Sequence, residues 1–228
     1  MKFSILTLFP DIISNYCNQS IIKRACEKGI IETELINPRD FTLDKHKKVD
    51  DTPYGGGAGM VLMAQPYVDA YESLKLEENS QTIMLTPQGE VFNDKISDEL
   101  SNLSQIVLIC GHYEGFDERI RTIINPREIS IGDFVLTGGE LPALCLLDAI
   151  SRKVEGTLGK IESAQHDSFS QGLLEHAQYT KPRIYRDIAV PDVLLNGNHA
   201  AIAEYRLQDS INRTREKRKD LFDKWNKS

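Results

Sequence analysis

The sequence predicts an α/β fold in which helices cover both faces of a parallel sheet, followed by a small basic helical domain. Three observations support this prediction. Short apolar runs alternate with segments of helical spacing, the composition changes near residue 157, and basic residues are concentrated after residue 176. A chain of 228 residues commonly forms one medium domain with an appendage, or two small domains.

Five short runs rich in Ile, Leu and Val predict the strands of the sheet. They occupy residues 2–9, 30–36, 82–86, 105–110 and 128–131. Because the apolar residues are continuous rather than alternating with polar ones, both faces of each strand are expected to be buried, as they are in a parallel sheet.

Segments of helical spacing lie between these runs and predict the crossover helices. They occupy residues 11–28, 66–76, 93–103 and 139–151, and Gly29 closes the first of them. Strands that alternate with helices indicate a parallel sheet. In such sheets, ligands bind beyond the carboxyl ends of the strands.

Three loops that contain glycine or proline are predicted at those strand ends, with the sequences LTPQG, CGHYEG and SIGDFVLTGGE. A phosphate site would be the usual interpretation, but neither a P-loop nor a dinucleotide fingerprint is present. The loops contribute Glu114, Asp133 and Glu140 and few cationic side chains, so they would repel a phosphate. They suit a neutral or cationic ligand that backbone groups recognise, such as a purine beside a sulfonium.

The second part of the chain has a different composition. Residues 157–175 are small and polar and predict an interdomain linker, and 176–228 predict a helical domain whose long helix runs from about His199 to Trp225. Residues 176–228 contain 11 Lys and Arg against 7 Asp and Glu, whereas residues 1–175 contain 16 against 27. A basic segment of this kind can bind nucleic-acid phosphates even though the formal net charge of the chain is −7.

The composition also indicates the compartment. The apolar N-terminus is interrupted by Pro10 and Asp11 after about one strand length, which is too short for a membrane span or a secretory signal. The four cysteines are widely spaced and are expected to be reduced, small buried hydrophobes rather than zinc ligands. We therefore expect a cytoplasmic protein with no membrane partner.

Several long motifs, taken together, resemble one family. PYGGGAGM, LTPQG, CGHYEGFDER, SIGDFVLTGGELPA, DSFSQGLLE, YTKPRIY and VPDVLLNGNHAAIAEYR are similar to the bacterial tRNA (guanine-N1)-methyltransferases nearly from end to end. The resemblance implies the SPOUT class, whose parallel sheet ends in a trefoil knot, and a homodimer that binds S-adenosylmethionine. It implies methyl transfer to N1 of the guanine immediately 3′ of the anticodon (position 37), and so maintenance of the reading frame. One departure is His112, where the family often has arginine.

The resemblance also assigns the domains and the binding residues. Residues 1–156 become the knotted cofactor-binding domain, and 176–228 become the domain that binds the tRNA anticodon stem-loop. The expected cofactor-binding residues are Leu85, Thr86, Pro87, Gly111, Tyr113, Glu114, Ile131, Gly132, Asp133, Phe134, Val135, Leu136, Gly138 and Gly139. The expected substrate-binding residues are Asp50, Gly57, Arg183, Arg186, Arg213 and Arg215, with residues 217–219 as further candidates.

Two residues are implied as catalytic. N1 of guanine carries a proton at neutral pH, so transfer needs a base for that proton and a positive group for the charge that builds on O6. By resemblance, Asp167 is the base and Arg152 stabilises O6. Taken alone, Asp167 could instead be a helix N-cap and Arg152 a charge at a helix C-terminus, and His166 is a rival base.

A metal ion and a second function complete the expectations. The resemblance implies Mg²⁺, for which Glu114, Asp167 and Glu175 are candidate ligands. The alternative function is that of a non-catalytic RNA-binding protein of the same fold. Asp167 and Arg152 favour the enzyme, because binding alone needs neither a base nor a partner for O6.

Overall fold

The structure is a computed structural model, and it describes residues 1–158 and 167–227. The chain divides into two compact units, Met1–Gly159 and Lys160–Ser228. The division falls inside the segment 157–175 that was predicted as a linker. From residue 167 onward, however, this segment hydrogen-bonds within the second unit and is part of it.

A five-stranded parallel sheet forms the centre of the first unit, with the order β2-β1-β6-β5-β7. A short antiparallel pair, β3 with β4, lies outside it. The strands are β1 (Lys2–Leu6), β2 (Glu32–Ile36), β3 (Asp50–Asp51), β4 (Val61–Leu62), β5 (Ser80–Val91), β6 (Gln105–Ile109) and β7 (Arg127–Ser130). The parallel sheet predicted from the continuous apolar runs is confirmed.

Two buried clusters show that helices pack on both faces of this sheet. Ile106 and Leu108 of β6 belong to a cluster that includes residues of four helices: α1 (Pro10–Cys17), α2 (Ser20–Glu27), α4 (Asp94–Leu100) and α6 (Glu140–Lys153). Val107 and Ile109 belong to the other cluster, with residues of α3 (Ala64–Glu72) and α5 (Glu118–Ile124). Successive strand residues point to opposite faces, so a strand that is apolar throughout supplies both clusters.

The second unit is smaller, and its described residues, 167–227, form a short hairpin, a 3₁₀ turn and two helices. A hairpin of β8 (Ile184–Tyr185) and β9 (Ile188–Ala189) is followed by a 3₁₀ turn at Asp192–Leu194. The helices are α7 (His199–Lys217) and α8 (Lys219–Trp225). Asn198 caps α7, because its side chain accepts a hydrogen bond from the amide of Ala201.

Two of the predicted helices are each divided in the structure. The segment 11–28 forms α1 and α2, because Asn18 ends the first helix and Ser20 has a positive φ of 49°. The helix predicted from His199 to Trp225 is interrupted at Arg218, whose φ of −138° and ψ of 67° are not helical. Helix α5 was not predicted.

Candidate functional site

A cavity of about 480 Å³ is bounded by residues 85–88 of β5 and by residues that follow β6 and β7. This volume is within the range of small-molecule sites. The three loops that the sequence singled out line it, together with one residue each from α5 and α6. Thirteen of the fourteen residues predicted to bind a cofactor therefore line one cavity; Asp133 does not line it and is exposed.

Several lining residues were not predicted. They are Gln88, His112, Gly115, Phe116, Arg121, Ile129, Ser130, Thr137 and Pro142. Most of them lie within or directly beside the three loop motifs, so including every residue of each motif and its neighbours would have identified them. Arg121 had no such signal, because it reaches the cavity from α5.

The first loop is a bulge inside β5 rather than a segment that follows the strand. Leu85 and Glu90 both pair with Ile129 of β7, so residues 86–89 leave the ladder between them. The bulge brings Thr86 and Pro87 to the cavity. A Cβ at Gly89 would overlap the main chain of β7, so glycine allows the bulge to close against that strand.

Gly139 holds the start of α6 against the end of β6. Its amide donates a hydrogen bond to the carbonyl of Gly111 at 2.8 Å. A Cβ at Gly139 would lie 2.7 Å from both Cα of Cys110 and the amide nitrogen of Gly111. The added atoms of a side chain at Gly139 would therefore meet protein backbone, whether or not a ligand is bound.

Glu140 is a buried carboxylate in the first turn of α6, with only 4% of its surface exposed. The hydroxyl of Thr7 donates a hydrogen bond to its Oε1 at 2.7 Å and accepts one from the amide of Phe9. A Cβ at Gly138 would overlap Glu140 Oε2 and would lie 2.8 Å from His112 Nδ1, a buried atom with no hydrogen-bond partner. Gly138 therefore leaves room for both side chains behind the cavity wall.

The cation and the cysteine nearest the cavity are both unavailable to a ligand. The guanidinium of Arg121 is paired with Glu118 at 2.7 Å and with Glu128 at 3.1 Å. Burial, together with the charge of Glu140, raises the pKa of the Cys110 thiol well above its usual range, so this cysteine stays protonated. The cavity therefore offers neither a free cation for a phosphate nor a cysteine nucleophile among the residues described as lining it.

The GGGAG loop lies beside the second of the cavity loops. A Cβ at Gly59 would overlap the side chain of Glu114, and the amide of Glu114 donates to the carbonyl of Met60 at 3.0 Å. Of the predicted substrate contacts, Gly57 is exposed in this loop with a φ of 133°, and Asp50 lies in β3, which pairs with β4 directly after the loop.

The two residues predicted to be catalytic lie in different units. Arg152 is half-buried in the last turn of α6 in the first unit. Asp167 is half-buried in the second unit, and its carbonyl accepts a hydrogen bond from the hydroxyl of Ser170 at 2.8 Å. A turn, not a helix, follows Asp167, so the helix-cap interpretation is wrong. The rival base, His166, lies outside the described residues.

Three hydrogen bonds hold the segment after Asp167 in the second unit. The amide of Leu174 donates to the buried hydroxyl of Thr214 at 2.8 Å, and the amide of Ala177 donates to Asp209 at 2.7 Å. Both acceptors are on α7. The amide of Glu175 donates to the hydroxyl of Ser168 at 2.9 Å.

The basic residues predicted to contact phosphates differ in the interactions that they make within the protein. Arg183 pairs with Asp192 at 2.9 Å, and both side chains are exposed. Arg213 approaches Asp209 at 3.9 Å, whereas Arg215 lies over the ring of Phe222. Arg186 is exposed in the hairpin turn. Between the exposed Lys217 and Lys219, Arg218 is bound to Asp220 and lowers the pKa of that carboxyl to about 2.

Neither a metal cluster nor a membrane span is found in the part of the chain that the structure describes. No three His, Cys, Asp or Glu side chains in it are placed to hold a metal ion. Glu114 is in the first unit, and Asp167 and Glu175 are in the second.

No described helix is long and apolar enough to cross a membrane. The four cysteines are free, and Cys145 is exposed, contrary to the expectation that all are buried.

Comparisons with known proteins agree with the resemblance seen in the motifs. A family model described as "tRNA (Guanine-1)-methyltransferase TrmD" matches residues 1–224. A tRNA (guanine-N(1)-)-methyltransferase of Clostridioides difficile (strain 630) is 52% identical over 99% of each chain. Proteins of the same name from Geobacter sp. (strain M21) and Staphylococcus epidermidis (strain RP62A) are also 52% identical, over 100% and 99% of this chain and 93% and 92% of theirs.

Proposed function

The chain belongs to the tRNA (guanine-1)-methyltransferase family, and from this membership we propose that it transfers a methyl group to N1 of the guanine immediately 3′ of the tRNA anticodon (position 37). The observation that carries the proposal is the cavity bounded by the bulge of β5 and by the loops that follow β6 and β7. The cytoplasm, where tRNA is modified, is the proposed location.

S-adenosylmethionine is the proposed cofactor, and the cavity fits it in size and in charge. The cofactor supplies a methyl group on a positively charged sulfur. Leu85, Gly111 and Ile131 line the cavity, and we expect the backbone near them to recognise the adenine. The only described cation in the wall, Arg121, is paired with two carboxylates. A cationic ligand is therefore not repelled.

The proposed roles of the protein in the chemistry fall to Asp167 and Arg152. Asp167 would accept the proton of N1, and Arg152 would stabilise the negative charge that builds on O6. Arginine suits the second role, because it stays protonated and donates from a planar fork. Since the two residues lie in different units, a site that contains both needs the units, from one chain or from two, to meet on the substrate.

The substrate would be held by the basic second unit. Arg213, Arg215, Lys217 and Lys219 are all on or directly after α7, the helix to which the segment after Asp167 is bonded. Phosphate contacts from these residues would position the RNA without reading its sequence. The homodimer and the knot implied by the resemblance are part of this proposal. Mg²⁺ has no three-residue ligand set in the described part of the chain, so no step is assigned to it.

The experiment that tests the proposal is methylation of defined tRNA transcripts by the purified protein. Transcripts with guanine or adenine at position 37 are incubated with S-adenosylmethionine, and 1-methylguanosine is measured by mass spectrometry of the nucleosides. We expect product from the guanine transcript alone, and none with the Asp167→Ala variant. Binding of both transcripts without product would favour the alternative, a non-catalytic RNA-binding protein.

A separate measurement tests the cofactor. S-adenosylhomocysteine should raise the melting temperature of the protein, because a ligand that binds only the folded state stabilises it. As a control, Leu136→Arg places a cation and a longer side chain in the cavity wall and should abolish the shift. A melting temperature that does not respond in the wild-type protein would contradict the assignment of the cavity.

A further inference from the structure

The hairpin of β8 and β9 exposes an apolar face on the basic second unit. Tyr185 pairs directly with Ile188, so their side chains lie side by side on one face of the hairpin. Tyr185 is 62% exposed and Ile188 is 74% exposed. We call this pair the stacking face. An isolated two-stranded hairpin is only marginally stable in water, and exposed apolar side chains that adjoin each other commonly mark a binding surface.

The turn of the hairpin places an arginine beside this face. Arg186 and Asp187 occupy the turn with positive φ values of 48° and 63°, a left-handed conformation that glycine or asparagine usually takes. The guanidinium carbon of Arg186 lies 5.5 Å from the centre of the Tyr185 ring. At the base of the hairpin, the amide of Val190 donates to the carbonyl of Arg183 at 2.9 Å, and Arg183 pairs with Asp192.

An exposed aromatic ring with an arginine lying over it suits an unpaired RNA base better than it suits a protein. Bases in single-stranded loops stack on aromatic side chains, while arginine contacts the neighbouring phosphate or adds a cation–π interaction. The excess of positive charge in residues 176–228 also favours a polyanion.

We propose that the stacking face of Tyr185 and Ile188 binds an unpaired base of the tRNA anticodon loop, with Arg186 on the adjacent phosphate. This inference rests on the proposed function and adds a residue that positions the substrate. It attributes part of the affinity to stacking, which salt does not screen, in addition to the phosphate contacts of α7, which salt does screen.

The test compares Tyr185→Ala with Tyr185→Phe in the full-length protein, with the guanine-37 transcript as ligand. Stacking on an aromatic ring accounts for about a 5- to 100-fold change in affinity, so the alanine variant should bind that much more weakly and the phenylalanine variant should bind as the wild type does. The slope of log Kd against log salt should be unchanged in Tyr185→Ala. In Arg186→Ala it should fall by about 0.7–0.9.

A second measurement remains informative if the alanine variant folds poorly. The fluorescence of 2-aminopurine, placed in turn at the loop positions of the transcript, should be quenched at one position by the wild-type protein and not by Tyr185→Leu. Leucine keeps an apolar side chain on the face and removes only the aromatic ring.

Three outcomes would overturn the inference. The first is unchanged affinity in Tyr185→Ala, and the second is an equal loss in Tyr185→Phe, which would assign the effect to the hydroxyl. The third is an oligomeric state of Tyr185→Ala that differs from the wild type in light scattering while its tRNA affinity is unchanged. That result would make the stacking face a contact between copies of this chain. If the wild type neither binds nor methylates tRNA, the proposed function itself fails, so the two failures can be told apart.

Discussion

Thr7 links the N-terminal ends of α1 and α6 through a single hydroxyl group. It is fully buried, it donates to the carboxylate of Glu140, and it accepts from the amide of Phe9. A buried carboxylate that loses its donor retains its desolvation cost, and so does a buried amide that loses its acceptor. The hydroxyl of Thr7 therefore matters more to stability than an exposed hydroxyl would.

We expect Thr7→Val to lower the free energy of unfolding by about 2–4 kcal/mol, because valine has the same shape but leaves two polar groups unpaired. Thr7→Ser keeps the hydroxyl and loses one methyl group, so it should cost only about 1 kcal/mol. Urea unfolding of the ligand-free protein measures both variants. Equal losses in the two would show that the methyl group, not the hydrogen bonds, carries the effect.

Gly139 gives a second prediction at the residue scale. The Cβ of Gly139→Ala would lie 2.7 Å from backbone atoms of Cys110 and Gly111. The main chain must move to admit it, which should cost about 1–3 kcal/mol of unfolding free energy without any ligand present. Gly55→Ala is the control, because its methyl group meets open space and only its positive φ of 85° costs energy, about 1 kcal/mol. Equal stability of Gly139→Ala and the wild type would contradict the prediction, because it would show that the backbone accommodates the methyl group without cost.

At the scale of elements, α1 and α6 are joined by one short hydrogen bond. The hydroxyl of Tyr16 on α1 donates to the carboxylate of Asp148 on α6 at 2.6 Å. This hydrogen bond, assisted by burial and by the carboxylate charge, raises the pKa of Tyr16 from 10.0 to about 12. A folded pKa above the unfolded one means that the bond stabilises the fold fully below pH 10 and is lost as the pH rises from 10 to 12.

The pH dependence can be measured with a matched pair of variants. In an ultraviolet titration of phenolate absorbance, the difference between wild type and Tyr16→Phe should be one tyrosine that ionises near pH 12. Asp148→Asn should return that pKa toward 10, because it removes the charged acceptor. The stability difference between wild type and Tyr16→Phe should be constant below pH 10 and decrease above it. A tyrosine that titrates at its ordinary pKa would contradict the bond.

The elements that the sequence predicted are those with strong, uninterrupted patterns. The apolar runs of β1 and β6 became the centre of the sheet because these strands are buried on both faces along nearly their whole length. The edge strand β2 is an exception to the expected burial, because it carries Glu32, Thr33 and Glu34 and Glu32 is exposed. The division at Ser20 was not predictable, since the helical spacing of apolar residues continues through it. Helix α5 was missed because Glu118–Ile124 has only two turns and follows a charged stretch. The bulge at 86–89 depends on pairing with β7, which no local pattern encodes.

The sequence identified most residues of the candidate site, but it did not reveal the contacts that constrain them. Motif resemblance identified thirteen residues that line the cavity, but it gave no physical basis for Gly139, whose constraint comes from the backbone of a strand that lies far away in the sequence. Arg121 and Thr7 were not predicted either, because their roles depend on tertiary contacts. Arg121 bonds to Glu128, and Thr7 bonds to Glu140.

At the scale of the whole molecule, acidic and basic residues are separated along the chain. Residues 1–175 have a large excess of Asp and Glu, whereas residues 176–228 have an excess of Lys and Arg. A polyanion is thus attracted to residues 176–228 and repelled from the acidic part of the chain before them, so tRNA should approach through α7 and the hairpin. Asp167 is held in this second unit, while the cavity and Arg152 belong to the first.

In the proposed homodimer, we expect each active site to combine the cavity of one chain with Asp167 of the other. The test mixes an Asp167→Ala chain with a Leu136→Arg chain, each inactive as a homodimer. Leu136→Arg suits this test because Leu136 lines the cavity and is 37% exposed. Differently tagged chains allow the heterodimer to be purified.

If the sites are shared, one site of the heterodimer has both an intact cavity and an intact aspartate, because a two-fold dimer pairs each patch with its counterpart on the partner. The heterodimer should then show about half of the wild-type activity per dimer, and its KM for S-adenosylmethionine should be that of the wild type. If each chain supplies its own aspartate, every site lacks one of the two parts. A purified heterodimer without activity would therefore exclude the shared site, while the activity of the wild-type homodimer would still stand.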